Sequence, residues 1–131
     1  MESVRQAAVA RGSSMESFQT TLRRIAVADE RLVDELRAEE RARPAGARLH
    51  PRVRALVQIG ALVAVDASPQ SYAICVEAAA RAGASPEEVV GALVAVVPIV
   101  GLPRVVAAAP GLGLALGYDV ESALEDGRDD E

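Results

Sequence analysis

The sequence predicts an all-α protein, a small protomer of about six helices that assembles into a symmetric oligomer. Apolar residues recur at three- and four-residue steps along the chain, which is the helical period. Ser-Pro pairs stand at two positions where a helix would begin. Half of the 131 residues are hydrophobic, yet the aromatic residues are only Phe18, Tyr72 and Tyr118, so the helices must pack through small aliphatic side chains.

The first helix is predicted to begin at Ser14. Asp29 falls on its apolar stripe, so the helix would bury that residue only in part. The charged stretch 37–43, followed by Pro44 and Gly46, is interpreted as a linker. The apolar stripe consists of Met15, Phe18, Leu22, Ile25, Leu32 and Leu36.

Two further helices follow the linker. One begins at Pro51, since proline is favoured at the first helical position, and ends at Asp66. The next has Ser68 as its N-cap, runs to Ala82 and ends with Gly83 at its C-cap. The first of them has an apolar side made of Val53, Leu56, Val57, Gly60, Ala61 and Ala64.

A capping box is predicted at Ser85, because Glu88 three residues later can reach back to the cap amide. That helix runs to about Val97. Another starts at 101–103 and extends through Leu116, with Pro110 as the point where it would kink or divide. A short last helix opens at residues 118–121. The predicted organisation is a flexible N-terminus at 1–13, a single helical domain at 14–126 and an acidic tail at 127–131.

Composition excludes several kinds of partner. A net charge of −5 and few aromatic side chains argue against nucleic-acid binding, which needs a basic surface and stacking platforms. The apolar run 89–117 is divided by prolines, and each half is shorter than the ~17–25 residues of a membrane span. Helices that are apolar all round must be covered by protein, so the chain is expected to associate with itself and not with a membrane.

Cys75 is the single cysteine, which excludes an internal disulfide and any Cys-x-x-Cys motif for redox chemistry or zinc. The N-terminal residues carry scattered charges and lack the apolar segment of a signal peptide. The sequence therefore predicts a cytoplasmic protein with no cofactor and no metal site.

A family resemblance rests on two motifs. The pattern A-x-x-x-G-x-[ST]-x-E-E-[IV] is met within residues 79–89, and a later Gly-x-Pro is met at 101–103. Both motifs follow a helix that opens with residues 49–56. With the motifs in this order, residues 48–117 resemble the carboxymuconolactone decarboxylase family, whose superfamily includes alkylhydroperoxidase D-like proteins. The resemblance implies a helical protomer that forms a homo-trimer or hexamer.

The reactive residues of that family are replaced. Its peroxidases carry Cys-x-x-Cys-x-x-x-His, and the corresponding positions here are Ser68, Ser71 and Cys75. The position of an upstream glutamate falls on Ala55 or Leu56. A serine hydroxyl can neither attack as a thiolate nor resolve a disulfide, so alkylhydroperoxidase activity is disfavoured. The decarboxylase branch generally keeps the histidine, which Cys75 replaces.

Five residues are candidates for a site. Cys75 and Tyr72 are candidate catalytic groups, and Arg104, Ser71 and Ser68 are candidates for binding substrate. Each has a structural alternative. Cys75 could be an inert buried thiol, and Tyr72 could serve packing alone.

Charged and titratable residues elsewhere have local explanations. Arg104 stands alone in an apolar segment, so it is expected to be buried. Its partner would be a structural carboxylate, such as Asp66 or Glu87 across a subunit contact, or a carboxylate ligand that it anchors. His50 precedes Pro51 and is expected to cap the helix.

Two functions remain open from the sequence. The first is a lyase or decarboxylase acting on a small carboxylated or lactone substrate with a non-standard site. The second is a non-catalytic oligomer that binds a ligand or partner after losing the reactive residues of the family.

Overall fold

Helices form the whole of the regular structure in the part of the chain that is described. The computed structural model describes residues 18–27 and 30–129, which contain no β-strand, so the predicted all-α class is confirmed. Helix α1 covers residues 18–26. The helices after it are α2 (Glu30–Ala42), α3 (Pro51–Ala64), α4 (Pro69–Arg81), α5 (Pro86–Ala95), α6 (Val97–Val100), α7 (Leu102–Ala115) and α8 (Val120–Asp129), with a 3-10 turn at Ala45–Ala47.

The chain divides into two units, Met1–Arg48 and Leu49–Glu131. In the first unit Arg24 of α1 forms ion pairs with two carboxylates of α2, at 2.9 Å to Glu39 and 3.3 Å to Glu35. The hydrogen bond from Arg24 lowers the pKa of Glu39. The predicted N-terminal segment 1–13 and Asp29 lie outside the described residues.

Two predictions for this unit are wrong. The single helix expected from Ser14 is interrupted by a turn at Val27, and the ion pairs of Arg24 with Glu35 and Glu39 show that α1 and α2 lie side by side. The expected linker 37–43 is helical as far as Ala42. No helix-breaking residue occurs before Pro44, and a proline disfavours the helical conformation in the residue that precedes it.

Local capping defines the helices of the second unit, as predicted. His50 Nδ1 accepts a hydrogen bond from Arg52 N at 3.2 Å at the start of α3. Ser68 Oγ accepts from Ser71 N at 3.3 Å at the start of α4, and Gly83 follows that helix with a φ of +91°. The capping box of α5 is complete, with Glu88 N donating to Ser85 Oγ at 3.1 Å and Ser85 N donating to Glu88 Oε1 at 3.2 Å.

The later helices differ from the prediction in their bounds. Helix α5 ends at Ala95, and α6 is a separate turn because Pro98 provides no backbone N–H to continue the ladder. Helix α7 is not divided at Pro110, which lies inside the continuous helix Leu102–Ala115. Asp119 caps α8 by accepting from Ser122 N at 3.1 Å, and this helix includes residues 127–129 of the predicted acidic tail.

The core of the second unit lies where α3, α4, α5 and α7 meet. Helix α3 buries Ala55, Ile59 and Val63, whereas Val53 and Val57 on the predicted apolar side are exposed. The helix is therefore apolar on two sides. The apolar side predicted from the sequence is the one that faces away from the core. No helix among the described residues is long and apolar enough to cross a membrane.

Candidate functional site

A groove of about 690 Å³ runs along the outside of α3, between that helix and the α5–α6 segment. Among the described residues, Glu88 is the single charged one in its lining. The groove coincides with the side of α3 that the sequence predicted as apolar, and it continues onto small residues of α5. Its aliphatic and glycine lining comprises Val53, Leu56, Val57, Gly60, Ala61, Ala64, Gly91, Ala92, Ala95, Val96, Ile99 and Val100.

The composition of these helices creates the groove. A Cβ on Gly60 would lie 3.0 Å from Val96 Cγ1, so glycine permits the close approach that forms the floor. At the rim, Val57 is 59% exposed and Ile99 is 86% exposed. Exposed aliphatic residues that flank a continuous concave surface indicate a binding surface rather than scattered apolar residues.

Glu88 has two partners besides lining the groove. Its Oε1 accepts from the amide of Ser85, and its Oε2 lies 3.6 Å from Nη1 of Arg52 on α3. The sequence identified the capping role but not the position in the groove, because the approach of α3 to α5 is a long-range contact. With its carboxylate engaged in this way, Glu88 is poorly placed to transfer protons.

A second cavity of about 360 Å³ lies where the start of α4, the middle of α7 and the start of α8 come together. Its walls include Ala67, Pro69, Ala107, Pro110 and Leu114, together with Gly111. Tyr72, Asp119 and Glu121 add polar groups to this lining. Sequence reasoning missed the two carboxylates because it treated residues 118–121 only as a helix start.

Tyr72 is the candidate site residue that reaches this cavity. Its side chain is only 2% exposed, and its ring packs against α7, where a Cβ on Gly111 would lie 3.4 Å from Tyr72 Cδ2. Burial, and to a smaller extent the charge of Asp66, raises the pKa of Tyr72. The hydroxyl forms no hydrogen bond with the described residues. Its oxygen is partly accessible, because no fully enclosed side-chain oxygen or nitrogen of the described residues lacks a partner.

The other residues predicted on α4 lie outside both cavities. Ser68 and Ser71 place their Oγ atoms 3.2 Å apart at the N-terminus of the helix, within hydrogen-bond distance. Cys75 is half-buried and packs against the core, with its thiol free. These residues share one helix with Tyr72 but do not share its cavity.

Arg104 is not buried within a single chain. It is exposed near the start of α7 and forms no ion pair within the described ranges of one chain, so a pair with Asp66 or Glu87 across a subunit contact stays a prediction. The physical reason is its place on the helix, because α7 turns Val105, Ala108 and Leu112 towards the core. An arginine next to that face can extend into solvent.

The arrangement offers little acid–base chemistry. Of the five predicted residues, Tyr72 alone lines one of the two cavities. Within residues 18–27 and 30–129 no group of three or more His, Cys, Asp or Glu side chains could hold a metal ion.

Comparison with known proteins tests the family resemblance. The model of the carboxymuconolactone decarboxylase family matches residues 30–112, which is more than half of the chain and takes in α2 to most of α7. No curated protein and no solved structure matches the chain significantly. The match begins earlier than the resemblance at 48–117, and it includes the capping box of α5 and the Gly-Leu-Pro turn before α7. By its sequence motifs, its helical fold and this match, the chain belongs to the carboxymuconolactone decarboxylase family.

Proposed function

We propose that this family member is a non-catalytic, self-associating binding protein whose protomers assemble through the groove between α3 and α5–α6. The observation that carries the proposal is the groove itself, an open surface lined by aliphatic residues and glycines with one engaged carboxylate. Leaving such a surface in water costs free energy in proportion to its apolar area, at about 25 cal/mol per Å².

The shape of the groove supports a helical occupant. Ala61 and Ala64 on one wall and Gly91 and Ala92 on the other let another backbone approach closely. A second copy of the chain provides suitable apolar helices, since residues such as Ile74 and Val106 are exposed on α4 and α7. Assembly into the trimer or hexamer expected for the family would cover these surfaces together.

The placement of reactive groups supports a role without catalysis. A dithiol reaction has no second thiol, and Cys75 lies in neither cavity. Glu88, the charged group of the groove, is held by the cap of α5 and by Arg52. No side chain in the groove is placed as a general acid or base.

A lyase acting on a small carboxylated or lactone substrate is the second candidate. Tyr72 supports it, because its phenol belongs to a residue that lines the smaller cavity and could protonate a carbanion-like intermediate there. Its raised pKa makes it a weaker acid than an ordinary phenol, which weighs against the lyase. The carboxylates of Asp119 and Glu121 weigh against it, since they would repel a carboxylate substrate. Arg104, the predicted anchor, is absent from the cavity lining.

Light scattering tests the proposed assembly. The whole chain is expected at three or six times the 13.6 kDa protomer mass. Val57→Asp places a charge in the groove and is expected to shift the population to monomer with helicity retained. Leu124→Asp, a comparable change at an exposed residue of α8 outside the groove, is expected to have a smaller effect. A monomeric wild-type chain, or equal effects of the two changes, would overturn the role of the groove.

An activity assay separates the two functions. Release of CO₂ from carboxymuconolactone, abolished in Tyr72→Phe and retained in Val57→Asp, would replace the binding proposal with the lyase. We expect no turnover above that of buffer.

A further inference from the structure

The smaller cavity combines negative charge with apolar walls. Asp119 and Glu121 line it, and Asp66 is near enough to Tyr72 to raise the pKa of its phenol. None of these three carboxylates is paired with an arginine among the described residues. Asp119 accepts hydrogen bonds from Ser122 N and Ser122 Oγ at 3.1 Å, but these neutral donors leave its negative charge uncompensated. No basic residue of the described ranges appears in the lining. The local electrostatic field therefore favours a cation and disfavours an anion.

The Tyr72 hydroxyl is a polar group of this lining that is free to bind a ligand. The residue is only 2% exposed, and its hydroxyl has no hydrogen-bond partner in the described parts of the chain. Because no fully enclosed side-chain oxygen of the described residues lacks a partner, this hydroxyl is accessible, and its residue lines the cavity. A protonated amine could donate a hydrogen bond to this oxygen.

The form of the site selects an organic cation over a metal ion. The carboxylates do not belong to any group of three potential ligands close enough to bind one ion in the described residues. The rest of the lining is proline, alanine, glycine and leucine, which suits a short hydrocarbon body. A volume of about 360 Å³ lies within the usual range for small-molecule sites, about 300–1,000 Å³.

We propose that the cavity between α4, α7 and α8 binds a small primary amine, with its ammonium group between Tyr72 and the carboxylates of Asp119 and Glu121 and its apolar body against Pro69, Pro110 and Leu114. This site goes beyond the proposed assembly and does not depend on it, because the cavity and the groove have no lining residue in common. It also differs from the carboxylated substrate of the lyase candidate.

Calorimetric titration of the whole chain with three probes of similar size tests the charge preference. At low ionic strength n-butylamine is expected to bind at least about tenfold more tightly than n-butanol, and butyrate is expected not to bind. Raising the salt concentration should weaken amine binding, since the carboxylates are at the protein surface. Equal affinity for the amine and the alcohol would show that the cavity binds apolar groups without selecting a cation, which contradicts the proposal. Absence of amine binding at concentrations up to tens of millimolar would also overturn it.

Variants locate the site. Glu121→Gln and Tyr72→Phe are each expected to weaken amine binding by about five- to tenfold, as the loss of a hydrogen bond to a charged group would. Glu125→Gln, on the same helix but outside the cavity lining, is the matched control and should leave affinity unchanged. If Tyr72→Phe misfolds by circular dichroism, the result with the surface residue Glu121 decides alone. Unchanged binding in Glu121→Gln, or equal weakening in Glu125→Gln, would contradict the proposed site.

Discussion

At the residue scale, the positions that hold reactive cysteine and histidine residues in the peroxidases of the family have local structural roles in this chain. Ser68 accepts the amide of Ser71 and so fixes the start of α4, and a serine is one of the best residues for that purpose. Cys75, at the histidine position, packs half-buried against the core. Replacement of the reactive groups thus preserves the helix, because capping and packing require only small side chains at these positions.

Tyr72 gives a pH-dependent prediction. Its pKa is raised in the folded chain by burial and by Asp66, so the folded state binds its proton more tightly than the unfolded state. Its contribution to stability is complete below the unfolded pKa of about 10 and is lost as pH rises through the higher folded value. In a Tyr118→Phe background, tyrosinate absorbance should therefore titrate above pH ~10 when folded and near pH ~10 in urea.

The background substitution leaves Tyr72 as the sole tyrosine in a chain without tryptophan, so the absorbance change belongs to one group. Asp66→Asn is the control, and it should bring the folded titration part of the way back towards pH ~10, because burial is the larger cause. Identical titration curves in folded and unfolded protein would show that the hydroxyl is not shielded.

Sequence reasoning about single residues succeeded where the interaction is local. The capping roles of His50, Ser68 and Ser85 follow from neighbours within three residues. Asp119 and Glu121 were missed as cavity residues because only the packing of α8 against α7 brings them to Tyr72. The exposure of Arg104 within a single chain did not follow from the sequence, because an apolar segment does not reveal which side of the helix faces the core.

At the element scale, the sequence predicts where helices start more accurately than where they are interrupted or which of their sides is buried. The start of α5 follows directly from Ser85-Pro86-Glu87-Glu88. The break between α5 and α6 lies inside a uniformly apolar run, where periodicity carries no information. Helix α3 presents the same difficulty, since both of its sides are apolar and only the packed structure distinguishes the core from the groove.

The capping box of α5 gives a stability prediction. Ser85→Ala removes the acceptor for the Glu88 amide and should lower the free energy of unfolding by about 1 kcal/mol. Ser85→Asp should restore most of the loss, because aspartate caps as well as serine. Urea unfolding at one fixed protomer concentration measures the difference, since self-association would otherwise add to it.

Glu88→Gln separates the cap from the ion pair in the same assay. Glutamine can still accept a hydrogen bond from Ser85 N, but it removes the charge that faces Arg52. Because that pair is partly exposed, the expected loss is well below 1 kcal/mol, at about 0–0.5 kcal/mol. A larger loss in Glu88→Gln than in Ser85→Ala would mean that the ion pair, and not the cap, fixes α5.

At the scale of the whole molecule, the second unit combines a complete core with an incompletely covered surface. All residues of the core cluster, from Ala55 to Leu112, lie within Leu49–Glu131. The apolar groove lies in the same segment. The sequence predicted a single domain over 14–126, and this boundary remains a prediction that a shortened chain can test.

The fragment 49–131 should fold and associate without the preceding residues. Because it contains the whole core cluster and the groove, it is expected to unfold cooperatively on heating, monitored by circular dichroism, and to show the same multiple of its protomer mass as the full chain. Val57→Asp in the fragment is the control and should give the monomer that it gives in the full chain. A fragment that is folded but monomeric beside an oligomeric full chain would assign association to residues 1–48. Non-cooperative melting would show that the core requires those residues, in agreement with the single domain predicted from the sequence.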